Sequence, residues 1–243
     1  MGQVVTFAQL SGGTSTDGVV TAPITRGETK EMSAEYVRIE PGRRWSEATP
    51  KGADCYLFAV KGSGHLAAGA ERHALPAETF ATVAEGVAFT VENDAAAALD
   101  IVKVIAPPKP NALKGFAGTL DVAERARTPV VDVPAERKKR IIFVGHHATQ
   151  SERAHAMIVV YDGQTNTPLH HHPNAESLFV LLHGGVEFTV NGRQEVLGPG
   201  QAVYFMTNDV HSLHTADGFA GASFLEFHIP GAFSTVKLAQ SSP

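Results

Sequence analysis

A chain of 243 residues, 43% hydrophobic and 19% charged, can bury a core and has room for one large domain or two small ones. Its formal net charge of −5 offers no electrostatic basis for binding nucleic acid or an anionic membrane, and no apolar run approaches the roughly 20 residues of a spanning helix. A single cysteine, Cys55, excludes an internal disulfide and fits a reducing compartment, so the cytoplasm is the expected location.

In chain order, Arg43, Arg44 and Trp45 precede the apolar run Cys55 to Val60, where Cys55 reads as a small buried side chain rather than a nucleophile. Pro107-Pro108-Lys109-Pro110 closes this first half. A connector follows, expected to pack across the halves: Asp121 to Arg127 predicts a helical turn or two, and Ile141 to Val144 a strand. The basic run Arg137-Lys138-Lys139-Arg140 reads as a solvated strand entrance. Beyond it, Met157 to Tyr161, Val186 to Val190 and Ala202 to Met206 are short strands, separated by Asp162-Gly163, Asn191-Gly192 and Gly198-Pro199-Gly200. Asn191-Gly192 predicts a two-residue type I′ hairpin, because both central positions need positive φ.

The chain repeats itself. Asp54 to Gly62 aligns with Glu176 to Gly184 at an offset of 122 residues, and the same offset pairs Leu75 with Leu197 and Pro108 with Pro230. The repeated halves are roughly residues 30–110 and 152–232, giving a domain reading of 1–110, a connector 111–151 with a strand, and 152–243. Each half consists of short antiparallel strands, which hide their edges best as a jelly roll, so the predicted fold is all-β with two tandem jelly-roll barrels.

The stretch Leu169-His170-His171-His172-Pro173-Asn174-Ala175-Glu176 leads from a turn into a strand. Alternation along a strand places His170 and His172 on one face, and Glu176 shares their parity. His211, after the turn Thr207-Asn208-Asp209, returns to the same wall as a third imidazole. Three histidines and a carboxylate suit one divalent transition metal ion, Fe(II) first, otherwise Mn, Ni or Zn. His171 is expected to face away.

Gly163, the His170-x-His172 pair, Glu176, Gly198-Pro199-Gly200 and His211 resemble the two signature motifs of the cupin superfamily. The resemblance implies a bicupin, two double-stranded β-helix barrels of which the C-terminal one holds the metal. Two departures stand out: Glu176 to Gly184 is one residue longer than the usual motif, and Met206-Thr207-Asn208 replaces the Pro-containing turn usual before the last histidine. At the 122 offset the four ligand positions fall on Ala48, Pro50, Asp54 and Phe89, so the N-terminal barrel is expected to be degenerate, metal-free and structural.

Glu226 and His228 share one face of the last strand, where the first half has Val104 and Ala106 at that offset. In cupins that strand borders the metal pocket, as the resemblance implies, making the pair candidates for proton transfer beside a small-molecule substrate. Tyr204 is a weaker catalytic candidate, with His183 and His214 behind it. Three functions follow: an Fe(II) dioxygenase acting on a chelating enol, catechol-like or keto-acid substrate; a non-redox isomerase, lyase or decarboxylase; or a non-catalytic small-molecule binding module. Exposed barrel edges suggest a homodimer.

Overall fold

The computed structural model describes residues 4–238. The first strands are β1 (Val4–Thr6), β2 (Ser15–Thr16), β3 (Val19–Pro23), β4 (Ser33–Ile39), β5 (Arg43–Ala48) and β6 (Asp54–Lys61). Then come β7 (His65–Ala68), β8 (Glu71–Ala74), β9 (Thr79–Val83), β10 (Ala88–Asn93) and β11 (Leu99–Ala106). The connector carries β12 (Leu120–Glu124), β13 (Val130–Val133) and β14 (Lys138–Val144). The second half has β15 (His155–Asp162), β16 (Asn166–His171), β17 (Glu176–Gly184), β18 (Val186–Val190) and β19 (Arg193–Leu197). It ends with β20 (Gln201–Phe205), β21 (His211–Thr215), β22 (Gly221–Ile229) and β23 (Val236–Lys237).

These strands build two sandwich-like barrels. In the first, β5-β10-β7-β8 faces β12-β9-β6-β11-β4-β3-β2; in the second, β19-β18-β21-β16-β23 faces β1-β20-β17-β22-β15-β14-β13. The connector divides between them, β12 pairing with β9 while β14 pairs with β15, and β1 of the N-terminal segment pairs with β20 of the second barrel. Asp121 to Arg127 departs from the predicted helical turns: it is strand β12 followed by a single 3-10 turn, Arg125–Arg127. Pairing of Leu120 to Glu124 with β9 overrides a weak local preference.

Why the central strands read as unbroken apolar runs is clear from what lies on each side. Along β17, Leu178, Val180 and Leu182 join a core between the two barrels, while Phe179 and Leu181 join the interior of the second barrel. Buried on both faces, the strand has no use for alternation. By contrast β18, Val-Glu-Phe-Thr-Val, alternates buried and half-exposed, as a one-sided strand should. The inter-barrel core stacks Phe80 of one half on Phe143 of the connector at 4.8 Å and 7°. Asn191 (φ 46°) and Gly192 (φ 82°) make the hairpin turn with both residues in the left-handed region.

The repeat is real in three dimensions, with two slips. β9 maps onto β20 and β6 onto β17 at 122 residues, and Phe89 pairs with Ala68 as His211 pairs with Val190. One extra residue lies before β22: Ile105 pairs with Cys55, but His228 pairs with Ser177. Glu226 and His228 therefore correspond to Lys103 and Ile105, not to Val104 and Ala106, and Pro230 corresponds to Pro107 rather than Pro108. A bulge in β16 between Thr167 and His170 sets His170 opposite His211, where the first barrel sets Glu47 opposite Phe89. The partner of His170 is thus Glu47 and not Ala48.

Candidate metal centre

His170 ends the bulged strand β16, His172 follows it, and His211 opens β21, directly opposite His170. Their ligand nitrogens lie within 4.8 Å of one another, and the three rings are buried, 6%, 4% and 1% exposed. Each ring turns Nδ1 toward a main-chain carbonyl: His170 to Pro168 at 2.7 Å, His172 to Ser234 at 2.9 Å, His211 to Asp209 at 2.8 Å. A carbonyl only accepts, so Nδ1 carries the proton and Nε2 keeps its lone pair. The Nε2 atoms of His172 and His211 are buried without a hydrogen-bond partner. Burial holds all three pKa values down, His172 to about 4 and His211 to about 3, so the imidazoles are neutral near pH 7. Neutral, orphaned, converging imidazoles fit a transition metal.

Glu176 does not join them. Parity carries only along an unbroken strand, and the turn at Pro173-Asn174 intervenes between His172 and β17. Glu176 therefore shares the face of Leu178 and Val180, toward the other barrel, and accepts hydrogen bonds from the main-chain N–H groups of Lys30 (2.8 Å) and Glu31 (3.0 Å). The inward position is Ser177, one residue on, which is where the usual spacing back from Gly184 falls. Its Oγ lies 3.0 Å from His228 Nδ1. Tyr204 likewise faces the inter-barrel core, with its hydroxyl donating to Glu28 at 3.3 Å, well away from the histidines.

The carboxylate on the inner wall is Glu226. It shares a face of β22 with Phe224, inside the barrel, and its Oε1 lies 2.5 Å from His228 Nε2. Although burial raises it, His228 holds the Glu226 carboxyl below its ordinary range. The His228 ring is 4.6 Å from that of His172 and stacks on Phe233 at 3.8 Å. His155, paired across the strands with His228, is a site residue that sequence reading missed; burial first, then His228, lowers its pKa to about 4. The strand parity that picked out Glu226 would have found it. These groups open into a cavity of about 910 Å³, which His214 also lines. His183 is exposed and pairs with Glu78, outside the cavity.

The first barrel is filled at the corresponding place. Glu47 pairs with Lys103 at 2.8 Å, Glu35 joins them, and Trp45 packs edge-on against Phe89 at 5.3 Å. Asp54, the acidic residue retained by the repeat, faces the other half and takes Arg153 Nη1 at 2.9 Å, Ser151 Oγ at 2.6 Å and the Phe116 N–H at 3.0 Å. Glu176 grips residues 30 and 31; Asp54 grips residue 153, the repeat of 31. The shared acid is a reciprocal clamp between barrels.

Residues 157–227 match the cupin domain family model. The C-terminal barrel is a cupin domain. The chain as a whole has the bicupin fold: an oxalate decarboxylase from Lactobacillus farciminis, solved as a formate complex, is similar over 99% of this chain and 90% of its own, with a TM-score of 0.73 at 14% identity. The protein Ylba from E. coli covers 94% of this chain and 90% of its own, TM-score 0.75 at 11% identity. A cupin 2 conserved barrel protein from Leptotrichia buccalis covers 93% and 96%, TM-score 0.69 at 13% identity. No curated protein matches the sequence. Among the described residues of this bicupin, no helix is long and apolar enough to cross a membrane.

Proposed function

We propose that this bicupin is a metal-dependent enzyme whose second barrel moves a proton on a small bound molecule, a non-redox lyase, decarboxylase or isomerase. The observation that carries this reading is the Glu226–His228 pair, buried beside three converging imidazoles, of which His172 and His211 have unpartnered Nε2 atoms. His170, His172 and His211 would hold the metal, which when bound supplies Lewis-acid polarisation of a substrate oxygen. His228 is placed to give or take a proton, with Glu226 on Nε2 and Ser177 on Nδ1 fixing the ring. Phe233, stacked over His228, shields that transfer from water.

An Fe(II) dioxygenase is the other reading of the same histidines. It drew support from a ligand set of three histidines and Glu176, and the turning away of Glu176 takes the carboxylate out of that set. The similar oxalate decarboxylases are decarboxylases by name, but at 14% identity or below that likeness is one of fold.

Elemental analysis of untagged protein tests the metal. About one equivalent per chain is expected in wild type and in Phe89→Ala, and loss of it in His170→Ala and His211→Ala. Wild type that stays metal-free after supplementation overturns the proposal. With a substrate in hand, turnover is expected to persist under nitrogen and to collapse in His228→Asn with metal retained; a strict requirement for O2 restores the dioxygenase.

A further inference from the structure

One residue of the basic run in the connector departs from the solvated reading: Arg137 and Lys139 are exposed and Arg140 is half-exposed, but Lys138 is buried. Strand β14 alternates, and Lys138, Arg140 and Ile142 line the cavity while Lys139 is exposed on the other face. Lys138 is only 7% exposed, an uncommon position for an ammonium group, with Nζ 2.9 Å from Thr167 Oγ1 and 5.5 Å above the Tyr161 ring. Thr167 lies on β16 three residues before His170. Among the described residues the charged lining comprises Arg137, Lys138, Arg140 and Lys237 against Glu136 and Glu226, a positive cavity in a chain of net charge −5. Lys237 sits beside His170 in the strand register.

The two β14 cations already converge on a carboxylate. Glu136 Oε2 lies 3.3 Å from Lys138 Nζ and 3.3 Å from Arg140 Nη2, and its side chain is 46% exposed, so it can swing away. Between these cations and the histidines the lining turns apolar, with Met157, Val159, Phe179, Leu213 and Phe224. A volume of about 910 Å³ exceeds what a two- or three-carbon molecule fills.

We propose that this cavity takes a carboxylic acid with an apolar body, the carboxylate displacing Glu136 from Lys138 and Arg140 and the body lying on the Phe179 and Phe224 wall. This rests on the cavity being the substrate site of the proposed enzyme and names the substrate class. The acid's charge is recognised by charge-assisted hydrogen bonds, which an amide of the same shape cannot replace.

Calorimetric titration of the full-length protein with benzoate, phenylacetate and 4-phenylbutyrate, each beside its amide, tests it. The acids are expected to bind and the amides not. Lys138→Met and Arg140→Gln should each weaken the best acid by about tenfold or more, and Lys139→Met should leave it unchanged. Glu136→Gln, which removes the internal competitor, should tighten it several-fold. Because Arg140 and Glu136 are partly exposed, those two variants keep the test valid should Lys138→Met not fold. Binding of none of the acids to wild type, equal binding of acid and amide, or indifference to Arg140→Gln and Glu136→Gln overturns the proposal. Repeating the titration on EDTA-treated protein separates the two readings: Arg140-dependent binding there stands whatever the metal content, whereas metal without acid binding leaves the enzyme reading alone.

Discussion

At the residue scale the site turns on one position. Glu176 and Ser177 are neighbours on one strand, and β alternation sends one toward the other barrel and one toward the histidines. A carboxylate at 176 cannot ligate at the centre and clamp Lys30 and Glu31 at once, and the two main-chain bonds show which it does. Glu176→Gln should therefore leave metal content unchanged while lowering stability by about 1–2 kcal/mol, the cost of weakening two charge-assisted bonds in a buried place. Elemental analysis beside chemical denaturation reads both quantities. Loss of metal in this variant would return Glu176 to the ligand set.

At the scale of elements, the histidine pair, the hairpin at Asn191-Gly192 and the repeat from Asp54 to Gly62 were all legible, because each depends on spacing within one unbroken segment. What escaped reading depends on breaks in spacing. A bulge in β16 brings Glu47, not Ala48, into the place of His170, and one residue inserted before β22 brings Lys103 into the place of Glu226. Neither leaves a mark in composition. Side was equally invisible for β14, whose three charges look alike in sequence until pairing with β15 fixes which face is inward. The corrected register explains how the first barrel is closed. Burial works to lower the pKa of Lys103, yet Glu35 and Glu47 hold it raised, so the ammonium stays charged at neutral pH. Lys103→Met would leave two carboxylates facing each other near an aromatic wall. It should cost about 2 kcal/mol at pH 7, discounted because both carboxylates are about a third exposed. The double variant with Glu47→Met should recover most of the loss. A thermal-shift series over both variants checks this, and an unchanged melting temperature for Lys103→Met at pH 7 would mean the barrel is closed by its aromatic pair alone.

On the scale of the whole molecule, both barrels share the Phe80–Phe143–Phe227 core and the paired acidic clamps, so they should unfold together, and the buried histidines make that unfolding depend on pH. In the folded protein His155 and His172 have pKa values held to about 4 and His211 to about 3, with His170 also lowered, against an ordinary value of 6.5. Between pH 6.5 and about 3 the unfolded chain therefore binds protons that the folded chain refuses. Stability rises with pH across this window and is lost as pH falls through it, by roughly 1–2 kcal/mol per histidine at pH 5. Glu176, whose pKa is raised by burial, acts oppositely, since its folded form takes up a proton first. The histidine contribution is therefore read as a difference: in metal-free protein the melting temperature should fall more steeply from pH 7.5 to 5 in wild type than in His211→Asn, whose side chain does not titrate. His211→Asn also loses the ring stacked on Phe205 at 4.2 Å, so its melting temperature is lower at every pH, and only the slope decides. Equal slopes would show that His211 takes up its proton in the folded metal-free protein as readily as in the unfolded chain, and that burial does not hold its Nε2 as a lone pair for a metal.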